Sequence, residues 1–321
     1  MVTGGAGFIG STFVHRFGRA EGPVVVADPM GAGAEFANLA GAPIADVLPP
    51  DRLLTELGST RRWASLDAVV HLGAITDTAN TDWAELRRVN LDYSVELIDR
   101  CDERGVPVVY ASSAAVYGAA AECVEAPSNE VPLNLYGASK LAVDRYVRRR
   151  AERFRVPVVG LRFFNVYGVR ERRKGSMASM PFRLAQELRT HGTATIFGSS
   201  HGLGPGLQAR DFVHVDDVTE VIEWAVSSAT GVSVLNVGTG RSRTFLELAE
   251  ALVNRHPGGS LRFVEMPEEL RVRYQAHTCA DLTALRLAGC DTQFRDLDEG
   301  VDHLLEEFDG DPTQWNEGVA S

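Results

Sequence analysis

Lysine is almost missing from this chain: of its 32 basic residues only Lys140 and Lys174 are lysines, the rest being arginines. Arginine serves wherever a fixed positive charge suffices. A primary amine is needed where the group must give up a proton, because a guanidinium stays protonated. The two surviving lysines are therefore candidates for chemistry. Cysteine is scarce too. Cys101, Cys123, Cys279 and Cys290 form no CxxC pair, and their spacing fits neither a zinc site nor a disulfide scaffold, so they read as reduced thiols with packing roles. The eight histidines are scattered with no HExxH, and no metal site is expected. No apolar run reaches the roughly 18 residues of a membrane span. The N-terminus lacks the ordered basic region, apolar stretch and cleavage site of a signal peptide. Positive charge is in deficit, with a net charge of -11, which argues against nucleic acid and anionic membranes as partners. The expectation is a soluble, cytoplasmic protein.

What is present is a globular composition over 321 residues, a length that suits one large domain plus a smaller one. Short apolar runs at Val24 to Ala27, Ala68 to Leu72, Val106 to Ala111 and Val156 to Phe164 alternate with helical patterns such as Trp83 to Glu103 and Lys140 to Phe154. Continuous apolar runs separated by helices predict strands buried on both faces and right-handed crossovers. The expected fold class is α/β: a Rossmann-type doubly wound parallel sheet with a smaller mixed α/β substrate domain. Only Met1 to Thr3 precede the first glycines, so either the first strand is short or a few residues are missing from its start. After residue 170 the pattern loosens, and Ser199 to Gln208 reads as an exposed glycine-rich loop. Val232 to Val237 reads as another sheet strand. The expected division is 1–168 for the dinucleotide domain with a returning segment about 211–240, and 169–210 with 241–321 for the substrate domain.

Gly4, Gly7 and Gly10 open the first βαβ unit. Gly4 permits the tight turn, Gly7 lets the backbone approach a pyrophosphate, and Gly10 lets the helix pack closely on the sheet. The helix N-terminus then offers amide donors to phosphate. Asp28 ends the next strand at the distance expected for a ribose-binding acid. A ribose 2′-phosphate needs arginine or lysine nearby, and no basic residue lies between Glu21 and Asp51. NAD is therefore favoured over NADP.

Tyr136 and Lys140 form a YxxxK pair at a helix start, and the spacing of four puts them on one face. The ammonium is expected to lower the phenol pKa so that Tyr136 cycles as base and acid. Ser113, at the end of a buried strand in the run Ser112-Ser113-Ala114-Ala115-Val116-Tyr117-Gly118, can hold the reacting hydroxyl. Glycine triplet, serine and YxxxK in this order are a specific combination.

These motifs, with Leu161-Arg162-Phe163-Phe164-Asn165-Val166-Tyr167-Gly168, Arg210-Asp211-Phe212-Val213-His214 and Asn236-Val237-Gly238-Thr239-Gly240, resemble the extended short-chain dehydrogenases/reductases. Lys174-Gly175-Ser176-Met177-Ala178-Ser179 and Arg273-Tyr274-Gln275-Ala276 narrow the resemblance to the ADP-L-glycero-D-manno-heptose 6-epimerases, over nearly the whole chain. That resemblance implies oxidation of C6″ of a nucleotide-activated heptose by a tightly held cofactor and return of the hydride to the other face. It implies two bases, Tyr136 and Lys174, with Lys140 on the nicotinamide ribose and Ser113 in support. It implies cofactor contacts at Gly4, Gly7, Phe8, Ile9, Gly10, Asp28, Pro29, Asp46, Leu72, Gly73, Ala74, Asn90, Lys140 and Val166. The implied substrate contacts are Asn165, Ser176, Arg183, Phe197, Arg210 and Tyr274, and the implied assembly is a homo-oligomer.

The chain departs from that family in places. Glu35 and Pro50 stand where the family has lysines for the NADP 2′-phosphate. Leu72 replaces an acid, Arg183 replaces a histidine near the phosphates, and the Gly198 to Gln208 loop is longer. Three rival readings follow. An NDP-sugar 4-epimerase or related oxidoreductase with a shifted substrate needs only Tyr136. A 4,6-dehydratase needs an acid pair where Asn134-Leu135 stand. A non-catalytic cofactor sensor would not need the YxxxK pair.

Overall fold

The computed structural model describes residues 1–29, 35–56, 66–271 and 274–310. Arg273 of the quoted motif lies outside them, as does the side chain of Glu35. In chain order the elements begin with β1 (Val2–Thr3), α1 (Phe8–Glu21), β2 (Val24–Ala27), β3 (Ile44–Leu48), α2 (Pro50–Glu56) and β4 (Val69–His71). They continue with α3 (Trp83–Leu86), a π-helical turn (Arg87–Asp92), α4 (Tyr93–Arg104), β5 (Val108–Ser113), α5 (Leu135–Arg149), β6 (Val158–Phe163) and β7 (Asn165–Tyr167). Then come α6 (Met180–His191), β8 (Thr193–Phe197), β9 (Ala209–Arg210), β10 (Phe212–His214), α7 (Val215–Ser227) and β11 (Val232–Val237). The last are β12 (Arg243–Thr244), α8 (Phe245–Asn254), β13 (Ser260–Val264), α9 (Glu268–Arg271), α10 (Thr283–Leu287) and α11 (Leu297–Gly310). No helix among the described residues is long and apolar enough to cross a membrane.

The chain forms two compact units. The first comprises Met1–Phe163, Val218–Val237 and Asp281–Thr292. Its seven strands run β11-β6-β5-β4-β1-β2-β3, all parallel. The expected Rossmann-type sheet is thus present. The chain winds from β1 to β2 and β3 on one side and resumes at β4 on the other. The switch point of this topology lies between β1 and β4, where a doubly wound sheet binds ligands beyond the carboxyl ends of its strands. The core packs Leu97, Ile98, Val108, Val143, Val147 and Val158 among others. These residues recur at helical spacing on α4 and α5 and along the strand runs, so local pattern and tertiary burial agree. Asp281–Thr292 belongs to this unit, through α10 packing on β11. The sequence reading had grouped that stretch with the substrate domain, because nothing local distinguishes it.

The second unit comprises Phe164–Asp217, Gly238–Ala280 and Gln293–Ser321. Its core joins α6, α8 and α11 through Phe182, Leu184, Leu188, Leu248, Leu252, Val301, Leu304 and Phe308. Three two-stranded ribbons accompany the helices: β7 with β10, β9 with β12 and β8 with β13. Helix starts follow side-chain chemistry. Thr244 caps α8 in a reciprocal box with Glu247, Oγ1 accepting from Glu247 N at 3.0 Å and Glu247 Oε2 accepting from Thr244 N at 2.7 Å. Ser179 and Asn134 cap α6 and α5.

Candidate active site

In the first unit the glycine turn connects β1 to α1. Gly4 has φ +66°, and a Cβ there would lie 2.6 Å from Gly73 N, so both conformation and space require glycine. A Cβ on Gly7 would meet only Gly4 O, at 3.2 Å, which leaves the outer side of the turn open. Gly10 behaves differently from expectation. Its Cβ would lie 2.1 Å from Gly4 O, so it is small in order to clear the turn itself and not the sheet. The N-terminus of α1 has no side-chain cap and no acid in its first turn, the arrangement that receives an anion. Phe8 is buried beneath it and Ile9 is half-buried.

Asp28 follows β2, is buried, and accepts from Ala6 N at 2.9 Å through Oδ2. It therefore braces the glycine turn. Pro29 beside it is exposed, and Asp46 on β3 is half-buried with Oδ1 accepting from Val47 N at 2.8 Å. Leu72, Gly73 and Ala74 leave β4 half-buried, with Gly73 N donating to Thr3 Oγ1 at 3.2 Å. Asn90 is fully buried on the π-helical turn. It accepts from Ile75 N at 2.8 Å, and its amide donates to Ile75 O at 2.9 Å and Ser139 Oγ at 3.1 Å. Ser139 Oγ in turn donates to Tyr136 O at 2.7 Å. Asn90 thus ties the loop after β4 to the tyrosine helix, and the π turn is the irregularity that aims it. Ser94 donates to Asn90 O at 2.7 Å and pairs with His71 Nε2 at 2.8 Å. Burial pushes the His71 pKa down to about 3, with Lys140 adding to the effect, so this histidine is a neutral structural link.

Helix α5 begins at Leu135, so the YxxxK pair stands at a helix start as expected, with Asn134 Oδ1 accepting from Gly137 N at 2.7 Å as its cap. Tyr136 and Lys140 lie one turn apart, with Lys140 Nζ 5.9 Å from the Tyr136 ring centre and donating to Ala111 O at 3.0 Å. Ser113 ends β5, accepts from Ala115 N at 3.1 Å and hydrogen-bonds with the Tyr136 phenol. The structure therefore brings Ser113, Tyr136 and Lys140 together. The expected effect of Lys140 on the phenol is corrected. Burial pushes the Tyr136 pKa up and the Ser113 hydrogen bond pulls it partly back. Burial lowers Lys140 itself to about 8, against the attraction of Asp144.

Asp144 is one turn beyond Lys140 and was not singled out from the sequence, although its spacing of four could have flagged it. It is fully buried. Oδ2 accepts from Arg162 Nε at 2.8 Å and Ser112 Oγ at 2.9 Å, and Oδ1 accepts from Tyr110 Oη at 3.0 Å. Arg162, equally buried, also donates to Glu130 Oε1 at 2.5 Å. This ion pair fixes the face of α5 that carries Lys140 to β6. Asp144→Asn is expected to lower unfolding free energy by about 1.5–3 kcal/mol, because it takes the charge from one of the two carboxylates that hold the buried Arg162, Glu130 remaining on the other side. The same change removes the attraction that holds Lys140 up, so the Lys140 pKa is expected to fall further. Urea titration and the pH dependence of turnover measure the two effects.

In the second unit Lys174 lies on the 3-10 segment Arg172–Met177, half-exposed, with Nζ donating to Glu171 Oε2 at 3.1 Å. Glu171 is fully buried and was missed by sequence reasoning. It also accepts from Ser179 N at 2.7 Å, Ser179 Oγ at 2.6 Å and Gly168 N at 3.2 Å. One carboxylate therefore sets the lysine, the start of α6 and the end of the Asn165–Gly168 run. Burial pushes its pKa up, and Lys174 and Ser179 oppose that. Ser176 and Arg183 are exposed near the start of α6, Asn165 is exposed on β7 and Val166 beside it is half-buried.

Arg210 is buried on β9 and lies over two rings, 4.6 Å from the Tyr274 centre and 5.5 Å from Phe245. Phe197 meets Tyr274 edge-on at 6.3 Å. Phe197, Arg210 and Tyr274 therefore form one cluster, a cation amid aromatic faces suited to stacking a base beside a phosphate. The Ser199–Gln208 loop is less open than expected: Gln208 is buried and donates to Gly198 O at 3.1 Å and Ser200 Oγ at 2.6 Å. Asp211, also missed, pins the Asn236–Gly240 motif by accepting from Thr239 N and Gly240 N at 2.7 and 2.9 Å.

Residues 1–238 match the NAD dependent epimerase/dehydratase family. The chain is similar to an ADP-L-glycero-D-manno-heptose-6-epimerase of Alkalilimnicola ehrlichii, with 42% identity over 307 residues, covering 95% of this chain and 96% of that one. Among solved structures it resembles the Helicobacter pylori ADP-L-glycero-D-manno-heptose-6-epimerase, with 28% identity, TM-score 0.83, and coverage of 97% and 96% of the two chains. It also resembles MoeE5 in complex with UDP-glucuronic acid and NAD, with 28% identity, TM-score 0.74 and coverage of 95% and 97%.

Proposed function

Because the chain belongs to the NAD dependent epimerase/dehydratase family and, within it, to the ADP-L-glycero-D-manno-heptose 6-epimerases, we propose that it interconverts the C6″ epimers of an ADP-activated heptose. The observation that carries this reading is where the two lysines stand. Lys140 accompanies Tyr136 and Ser113, and Lys174 is set by a buried carboxylate within the motif shared with these epimerases. A 4-epimerase that relies on its tyrosine alone has no use for the second amine.

The open glycine turn, the uncapped start of α1 and Asp28 fit a dinucleotide, with Gly4, Gly7, Phe8, Ile9, Gly10, Asp28, Pro29, Asp46, Leu72, Gly73, Ala74, Asn90, Lys140 and Val166 as its proposed contacts. When bound, the nicotinamide supplies a reversible hydride acceptor. Tyr136 takes the proton of the 6″-hydroxyl as the hydride leaves, with Ser113 orienting that oxygen. Lys174 would serve the opposite face, giving its proton to the oxygen on reduction there, and proton exchange with solvent would return Tyr136 to the phenolate and Lys174 to the ammonium. Arg210 and Arg183 suit the diphosphate, and Phe197 and Tyr274 the base. Asn165 and Ser176 offer polar atoms to the sugar.

NAD is the proposed cofactor. Asp28 disfavours a 2′-phosphate by charge, and the segment between Glu21 and Asp51 offers no cation to hold one. Incubation with ADP-D-glycero-D-manno-heptose is expected to give a mixture of the two C6″ epimers by NMR, and heat-released nucleotide is expected to chromatograph as NAD. Turnover of a UDP-hexose at C4″ with no change in the heptose would sink the substrate reading. Release of NADP would sink the cofactor reading alone.

A further inference from the structure

We infer that the second unit holds a divalent metal ion of the Zn²⁺ type between His214, His303 and Glu307. One ligand atom from each of these residues lies within 4.8 Å of the others. His214 is the last residue of β10 and is 1% exposed. His303 and Glu307 are four apart on α11, so they present neighbouring side chains on one helical face. All three carry an orphan: His214 Nε2, His303 Nδ1 and Glu307 Oε2 are buried atoms without a hydrogen-bond partner. Buried polar atoms are seldom left unpaired, and three of them on residues whose ligand atoms gather within 4.8 Å ask for a common partner.

A proton is a poor candidate for that partner. His303 Nδ1 and Glu307 Oε2 are 3.6 Å apart, too far for a hydrogen bond, but close to the roughly 3.3 Å that two donors keep around a tetrahedral zinc ion. Two imidazoles and a carboxylate are the ligand types that such an ion takes, with water in the fourth position. The outer contacts fit as well. Asp216 Oδ2 lies 3.8 Å from His214 Nδ1 and 3.7 Å from His303 Nε2, the ring nitrogens left over if the orphan atoms ligate. A ligating histidine usually gives its second N–H to such a carboxylate. Asp216 N now approaches His214 Nδ1 at 3.3 Å; ligation through Nε2 would move the ring proton to Nδ1 and turn that nitrogen toward the Asp216 carboxylate. Arg295, 4.0 Å from Asp216 Oδ2 and paired with Asp217, and Arg170, which acts on Glu307, border the site and balance part of its acid. His303 and Glu307 are each about a third exposed, which provides an entry path. The ion would clamp α11, which carries Val301, Leu304 and Phe308 of the core, onto the end of β10.

The test uses the full-length, tag-free protein, stripped with chelator, equilibrated with Zn²⁺ and desalted. Plasma emission is expected to find close to one zinc per chain, and Zn²⁺ is expected to raise the melting temperature. Co²⁺ in its place is expected to give the intense visible bands of a four-coordinate ion. His303→Ala and Glu307→Gln, both at the open side and neither used in the proposed reaction, should each abolish retained metal and the thermal shift while leaving the metal-free melting temperature near that of the parent. Exposed His191→Asn should change neither. Negligible zinc in the parent protein would overturn the inference. So would full retention in both variants, or loss of the metal on alkylating the cysteines.

Discussion

Lys174→Met is expected to cut epimerase turnover roughly 100- to 10,000-fold, the range for removing a positioned acid or base, while the cofactor stays bound and the fold intact. The fold should tolerate the change because Lys174 is half-exposed, and Glu171 keeps Ser179 N, Ser179 Oγ and Gly168 N as donors. Removing the lysine from this set is expected to cost no more than about 1–2 kcal/mol of stability. Lys174→Arg sharpens the test. A guanidinium preserves the charge and the pairing with Glu171 but does not release a proton near neutrality. If the amine transfers protons, Arg should be as damaging as Met. Recovery of activity by Arg would reduce Lys174 to an electrostatic role, and unchanged turnover of the Met variant would point to a 4-epimerase.

Tyr136→Phe should be at least as severe, again roughly 100- to 10,000-fold, and should erase the low-pH limb of the rate profile. The direction follows from the surroundings of the phenol. Burial raises its pKa and the Ser113 hydroxyl lowers it, so the phenolate fraction, and with it the base-dependent rate, grows as pH rises. Ser113→Ala removes the lowering influence and should move that limb to higher pH without abolishing turnover. A Phe variant within about tenfold of the parent rate would end the case for Tyr136 as the proton acceptor.

Much of this arrangement is legible in the sequence because it is local. Val24–Ala27 and Val232–Val237 are continuous apolar runs and form strands over those spans. The glycine triplet and the YxxxK spacing are set by one turn and one helical repeat. The helix start at the YxxxK pair is borne out, although the cap, Asn134, was not singled out from the sequence. The buried charges were illegible for a different reason. Asp144, Glu171 and Asp211 look like surface acids, and only the packing of distant segments shows that each is enclosed and fully partnered. Gly10 teaches the same lesson, since its reason for being small is a carbonyl six residues earlier.

The first unit's sheet ends on β11, although β6 is complete by Phe163. During synthesis at the ribosome, six strands emerge with one side of β6 bare and wait for Val232–Val237 to arrive. A naked strand flank invites pairing with other nascent chains. Of the other unit's helical core only α6 lies in the intervening stretch, since α8 and α11 follow β11 in the chain, so that core too is incomplete while β6 waits. A ribosome stalled between these two stretches would therefore present an adhesive, half-built sheet, so that stretch of translation is where chaperone capture would matter most.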